Sequence, residues 1–205
     1  MAEKKREATS KPVLRRRLEV KSELARRLLT RGVWNTAGAL YRIEAVWRMI
    51  GRDEEIDRME SMVMHYLDKC AKELQEERER LDVLLEQNGI EELPDYTQKQ
   101  TVQVRILSPS ISRYVNIILE ADAVIQRLDA AWLMGVVTNL ERKRRMVYWI
   151  SELRSLRRKI RDLEAKTRDL ATGRGKAVSL EQEGQEDVIE EVQEEKEEKE
   201  SAAAA

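Results

Sequence analysis

The chain has 205 residues, of which 38% are charged and only 4% are aromatic, and it contains no phenylalanine. High charge with apolar residues at helical spacing is typical of long helices that bury narrow faces. No apolar run approaches the roughly 18 residues that cross a bilayer, and no apolar signal core follows the basic start. The composition argues against a membrane-spanning protein, and we expect the protein to stay in the cytoplasm.

The net charge of −1 hides a strong segregation of charge along the chain. Basic residues dominate 1–31 and 138–176, whereas acidic residues dominate 32–137 and 177–205. Two separate basic blocks favour an anionic partner more than the net charge suggests.

The same composition predicts three regions. We expect residues 1–11 to form a disordered basic arm, residues 12–172 a helical domain, and residues 173–205 a disordered acidic tail.

Three helices are predicted in the first half of the domain. The first runs from Pro12 to Arg31 and ends at Gly32, because Leu14, Leu18, Ala25 and Leu28 fall on one helical face. Residues 33–50 are apolar nearly all round and predict a buried central helix. Residues 53–87 predict a long amphipathic helix of coiled-coil type, capped by Asp53 and stopped at Asn88-Gly89.

The periodicity then changes from helical spacing to alternation. Between Lys99 and Leu107, the polar residues Thr101, Gln103 and Arg105 alternate with Val102, Val104 and Ile106. A period of two with β-branched residues predicts a strand, and it is the single strand that the sequence predicts.

Two more long helices follow this strand. Ser108-Pro109 is a cap followed by proline at the first helical position, and it predicts a helix that extends to Met134 unless it breaks near 121–123. Thr138 and Glu141 form a capping box that opens the last helix.

The sequence carries no recognisable catalytic or metal-binding apparatus, so we predict no enzyme, no cofactor and no metal. His65 is the only histidine, and Cys70 lies on an apolar face, where it is expected to be a small buried group. Gly173, Gly175 and Lys176 suggest a phosphate loop, but Leu170 stands where that motif needs a glycine, and no strand precedes it.

The strand carries the main functional hypothesis. A lone strand cannot satisfy its own backbone hydrogen bonds, so we expect it to pair with the same strand of a second copy, as an intermolecular two-stranded ribbon. The outer face of this ribbon would present Lys99, Thr101, Gln103 and Arg105 to the base edges of DNA. Strand, capped helix and second helix follow in the order of the ribbon-helix-helix fold, here over residues 98–170.

Less specific interpretations stay open for the strand. It is equally compatible with an edge strand, or with a hairpin formed with the loop at 93–98, whose polar face is only solvated. The helix at 109–134 is also about twice the length expected of the first helix of a ribbon-helix-helix unit.

The last helix supplies a second candidate contact with DNA. Thr138 and Asn139 stand at a helix start, where a phosphate binds well. Arg142, Arg144 and Arg145 follow within two turns and would add contacts without sequence preference. The alternative is a solvated face, or ion pairs with the acidic helix at 53–87.

A resemblance to a known family adds to these hypotheses. It is carried by Asn88-Gly89, Tyr96, residues 102–107, Ser108-Pro109, Tyr114, Asp122, Trp132 and Gly135, within about 35–160. This stretch resembles a family of proteins from integrating conjugative elements and large conjugative plasmids. The family includes the transfer activator AcaB, regarded as ribbon-helix-helix-like. The resemblance implies a regulator of conjugative transfer genes.

Taken together, we expect a mainly α-helical homodimer that binds double-stranded DNA in the bacterial cytoplasm and regulates transcription. RNA polymerase or another regulator would be a further partner. The alternative function is a coiled-coil adaptor of a conjugation or mobilisation complex, without sequence-specific DNA binding.

Overall fold

The computed structural model describes residues 12–29 and 33–174. The elements in chain order are β1 (Leu14–Val20), α1 (Glu23–Leu28), α2 (Trp34–Ile50), α3 (Asp53–Gln87), β2 (Gln100–Ile106), α4 (Pro109–Leu133) and α5 (Asn139–Gly173). The predicted mainly helical class is therefore confirmed. The predicted arm over 1–11, the break at Gly32 and the tail beyond residue 174 lie outside the described residues.

Local capping residues define the ends of the long helices. The Ser108 side chain accepts a hydrogen bond from the Ile111 N–H and starts α4, with Pro109 at its first position. Gly89 has a φ of 66°, a left-handed conformation that suits glycine, directly after α3. Asp53 is not the cap that the sequence predicted. It is the first residue of α3, and the backbone N–H of Arg52 before it donates to the Glu55 carboxylate at 3.0 Å.

The core lies where the four long helices meet. The central α2 buries more than half of its length, and it packs mainly against α5, while α3 packs mainly against α4. Among the largest fully buried side chains are Leu40, Ile43, Leu67, Leu74, Ile118 and Leu128. Removal of such apolar surface from water is the main favourable contribution to folding.

Charged side chains connect helices that are distant in sequence. Arg42 of α2 donates to Glu164 of α5 at 2.6 Å. Arg174, just after α5, donates to the Ile50 carbonyl at 2.9 Å and to the Glu55 carboxylate at 3.0 Å. The hydrogen bonds from the Arg174 side chain and from the Arg52 backbone N–H together lower the pKa of Glu55 to about 2. These contacts fix the C-terminal end of α5 against the junction of α2 and α3.

The predicted helix from Pro12 to Arg31 is wrong. Residues 14–20 form β1, Ser22 caps a new element, and the helix is only the six residues of α1. Leu14 and Leu18 fit a helical face, but Leu18 and Val20 are both buried, as alternate residues of a strand are. Pairing with a distant strand overrides the local helical spacing.

The predicted single strand with an intermolecular partner is also corrected. β2 pairs with β1 of the same chain in an antiparallel two-stranded sheet. The physical requirement was identified correctly, since β2 needs a neighbour for its backbone groups. The neighbour comes from the segment that the sequence assigned to a helix.

The helix after β2 does not break. α4 runs continuously from Pro109 to Leu133, through the small residues at 121–123 that suggested an interruption. Ala121 and Asp122 are buried there, so the small side chains allow close packing within an unbroken helix.

Candidate nucleic-acid interface

The sheet formed by β1 and β2, called the ribbon from here on, has one polar and one apolar face. The polar face carries three cross-strand pairs: Arg15 with Arg105, Arg17 with Gln103, and Glu19 with Thr101. The buried residues of the other face are Leu18, Val20, Val104 and Ile106. Because side chains alternate along a strand, one face packs on the helices while the other is available to a partner.

The four predicted base-contacting residues lie on or next to the polar face. Thr101 and Gln103 are exposed, Arg105 is half-buried, and Lys99 is exposed just before β2 begins. The structure therefore brings these residues together on one surface. Their contact with DNA stays a prediction.

The sequence analysis missed two residues of this surface. Arg15 and Arg17 of β1 are exposed and lie directly opposite Arg105 and Gln103. The available signal was the alternation of Leu18 and Val20 with polar residues, but it is short, and Arg16 interrupts it on the apolar side. The ribbon thus obtains its second row of polar side chains from the same chain.

The charge of the polar face favours an anionic partner. Arg15 and Arg105 are positive charges placed directly opposite each other. Arg17 and Lys99 add two more positive charges, whereas Glu19 is the one acid among the paired residues of this face. This excess of positive charge on the polar face attracts phosphates and acceptor-rich base edges.

Several hydrogen bonds fix the ribbon to α4. Arg16 donates to the Asn116 side chain at 2.7 Å. The buried carboxylate of Asp122 accepts the backbone N–H groups of Lys21 at 3.1 Å and Ser22 at 2.8 Å. The position of the polar face therefore depends on α4, and the ribbon is not an independent hairpin.

The predicted phosphate site at the start of α5 is occupied by a carboxylate of the chain itself. The Thr138 hydroxyl donates to Glu141 at 2.7 Å, and the Thr138 N–H donates to the same carboxylate at 2.9 Å. These bonds lower the pKa of Glu141. The predicted capping box is confirmed, and Asn139 beside it is exposed. Phosphate binding by Thr138 and Asn139 stays a prediction.

Two of the three arginines predicted to contact phosphates have partners within the chain. Arg142 donates to the Asp129 carboxylate at 2.6 Å and stacks on Trp132, with its guanidinium carbon 4.5 Å from the ring centroid. Arg145 donates to Glu77 of α3 at 2.9 Å. Ion pairing with α3, which the sequence left open as an alternative, therefore applies to Arg145. Arg144 is exposed.

A basic stripe continues along the solvent-facing side of α5. Its members are exposed and lie on the same side of the helix: Arg154, Arg158 and Arg161, spaced by four and three residues, and Arg144, ten residues before Arg154. The buried residues Leu153, Leu156 and Ile160 lie on the opposite face. This basic stripe is the part of α5 that a phosphate backbone can reach without breaking internal ion pairs.

The ribbon and the start of α5 contact α4 at different positions along the axis of α4. Arg16 of the ribbon bonds Asn116, whereas Arg142 of α5 bonds Asp129. The rise of a helix places Asn116 and Asp129 about 20 Å apart along the axis of α4. One duplex can span this distance, because a helical turn of DNA extends about 34 Å.

An apolar corner lies where α4 turns into α5. Leu133, Met134, Leu140 and Val147 are large apolar side chains, each more than half exposed. Clustered exposed apolar residues mark protein interaction sites more often than isolated ones do. This corner is therefore a candidate surface for a protein partner.

None of the helices over residues 12–29 and 33–174 combines the length and the apolar character that a bilayer crossing requires.

A solved structure has a similar overall fold. It is the crystal structure of selenomethionine-containing AcaB from uropathogenic E. coli. The two chains are 28% identical and superpose with a TM-score of 0.81, over 86% of this chain and 92% of that chain. This chain has the AcaB fold. The match is longer than the stretch at 35–160 on which the resemblance was based, and the predicted similarity to an AcaB-like family is confirmed. No family model matches the sequence, and no curated protein does.

Proposed function

We propose that this protein is a sequence-specific DNA-binding regulator of conjugative transfer genes, and that it activates transcription in the bacterial cytoplasm. The observation that carries the proposal is the polar face of the ribbon, where Arg15, Arg17, Gln103 and Arg105 form two adjacent rows. The likeness to AcaB supports the link to conjugative transfer. The proposal assigns the protein no catalytic role.

The ribbon is proposed to enter the major groove with its polar face toward the bases. A two-stranded ribbon fits this groove, which is about 12 Å wide. Arginine can bind guanine through two parallel hydrogen bonds, and glutamine can bind adenine in the same way. In this arrangement β2, α4 and α5 follow a ribbon-helix-helix order, with both strands of the ribbon supplied by one chain.

Phosphate contacts are proposed to come from α5. The exposed Arg144 and the rest of the basic stripe would bind the backbone beside the groove. A phosphate at Thr138 and Asn139 would have to displace the Glu141 carboxylate from the start of the helix. Such contacts supply affinity that falls with salt and carry no sequence information.

Selection from a random pool of double-stranded DNA tests the proposal. The purified protein should enrich a defined motif over successive rounds, and the enriched sequence should bind at least ten-fold more tightly than random DNA of equal length at about 150 mM salt. Binding that depends on salt but enriches no motif would reject sequence-specific regulation. It would favour the adaptor of a conjugation complex, the function that the apolar corner supports best.

We further propose that the protein binds DNA as a homodimer. Among the described strands, β1 and β2 each have one edge without a neighbouring strand, and such edges readily pair with another chain. Sedimentation equilibrium at micromolar concentration should give about twice the chain mass of 24.0 kDa. A Leu140→Lys variant, changed in the apolar corner, should keep this mass if association uses the ribbon. A mass equal to that of one chain at every concentration would contradict the proposed homodimer.

A further inference from the structure

A small cleft lies beside the start of α4, which follows β2 in the chain. It is formed by α2, by the first turns of α3 and by the start of α4, and it encloses about 140 Å³. Its apolar walls are Ile43, Trp47, Ile56, Met59, Val63 and Met64. Apolar cavities of about 150 Å³ are large enough to bind a benzene ring.

One wall of this apolar cleft carries a nearly buried carboxylate. The Glu44 side chain is only 10% exposed. Its Oε1 accepts a hydrogen bond from the Ser110 hydroxyl at 2.5 Å. Burial raises the pKa of Glu44, while hydrogen bonds from Ser110 and Ser108 and the charge of Arg48 act in the opposite direction. A carboxylate in such surroundings is costly to ionise unless a cation comes close.

Arg48 pairs with this carboxylate only at the long end of ion-pair distance. The guanidinium of Arg48 is 3.9 Å from Glu44 Oε2, and the Arg48 side chain is 61% exposed. Glu60, which also lines the cleft, is exposed and adds a second negative charge. The cleft therefore has apolar walls, a volume close to that of a cavity that binds benzene, and a negative charge that Arg48 neutralises only weakly.

We propose that this cleft binds a small organic cation, an ammonium group attached to a compact apolar or aromatic body. The apolar body lies against Trp47, Met59 and Met64, and the ammonium donates to Glu44 Oε2, the oxygen that faces Arg48. Because Pro109 and Ser110 line the cleft and follow β2 by only three and four residues, the bound cation contacts the joint between the ribbon and α4. The site does not depend on DNA binding.

Titration of the full-length protein with benzylammonium chloride at pH 8 tests this site, with binding followed by amide and indole NMR shifts. We expect millimolar binding, with the largest shifts at the Trp47 indole and the Ser110 amide. Benzyl alcohol has the same shape without the charge, and we expect it to bind about tenfold more weakly, because a charge-assisted hydrogen bond is lost.

Three variants complete the experiment. Glu44→Gln keeps the size of the side chain and should weaken benzylammonium binding about tenfold. Glu79→Gln, an exposed change near the other end of α3, should leave binding unchanged. Met59→Phe narrows the cleft and should reduce binding even if Glu44→Gln proves too unstable to purify.

The outcomes are decisive in both directions. Preference for the amine over the alcohol, together with loss of binding in the Glu44 or Met59 variant, supports the cation site. Equal binding of amine and alcohol, unchanged affinity in Glu44→Gln, shifts outside the cleft, or no binding up to about 20 mM overturns it.

Discussion

Changing Gln103 and Arg105 together to Ala should remove sequence preference and leave the fold intact. Both side chains lie on the polar face of the ribbon, opposite the buried residues that pack on the helices, so we expect the core packing to remain. Arg105 is half-buried and interacts within the protein, so we expect a small loss of stability as well. A base contact of this kind contributes roughly 1–3 kcal/mol of discrimination against the wrong base. In a competition assay, the double variant should bind the selected motif and random DNA nearly equally, with unchanged far-ultraviolet circular dichroism.

The matched comparison changes the basic stripe of α5. Arg154 and Arg158 are exposed, so their replacement by Ala should weaken binding to all DNA sequences in similar proportion and reduce the salt dependence. Arg142 and Arg145 are unsuitable for this comparison, because their loss also breaks ion pairs with Asp129 and Glu77.

If the ribbon is the base-contacting element, the Gln103/Arg105 variant should lose its preference for the selected motif, and the Arg154/Arg158 variant should keep it. Full sequence preference in the Gln103/Arg105 variant would mean that the bases are contacted elsewhere. A loss of helicity in that variant would mean that these side chains contribute to packing. A parallel change of Arg17, which lies opposite Gln103, should reduce preference as well, since it occupies the same polar face.

β2 could be predicted from the sequence and β1 could not, for a physical reason. β2 has three alternating pairs of polar and β-branched residues, a pattern that only a strand explains. β1 has Arg16 on its apolar side and Leu14 and Leu18 four residues apart, which fits a helix equally well. Its strand conformation depends on a partner more than 80 residues away, and no local pattern records such a contact.

The same limit applies to the arginines of α5. The capping box at Thr138 was predictable because all of its atoms lie within one turn of a helix. Which arginines remain available to a partner depends on side chains of other elements, such as Asp129 for Arg142 and Glu77 for Arg145. The density of basic residues in the sequence predicted a basic helix. It could not show which arginines form ion pairs within the chain and which are exposed to a partner.

Replacing Asp122 with Ala should destabilise the protein strongly and loosen the ribbon. Asp122 is 3% exposed, and its carboxylate accepts the backbone N–H groups of Lys21 and Ser22 and the Gln126 amide. Without it, buried donors between β1 and α1 lose their acceptor, so we expect the free energy of unfolding to fall by on the order of 3 kcal/mol. Urea denaturation measures this change.

An exposed aspartate provides the control for this effect. Asp162→Ala on α5 removes the same group from the surface, and we expect a change within about 0.5 kcal/mol. Hydrogen exchange adds a local measurement, since the amides of β1 should lose protection in Asp122→Ala before those of α3 do. Equal stability of the two variants would show that Asp122 does not hold the ribbon on α4. In that case, the orientation of the polar face would have to come from the Arg16–Asn116 hydrogen bond and from the buried contacts of Leu18, Val20 and Val104.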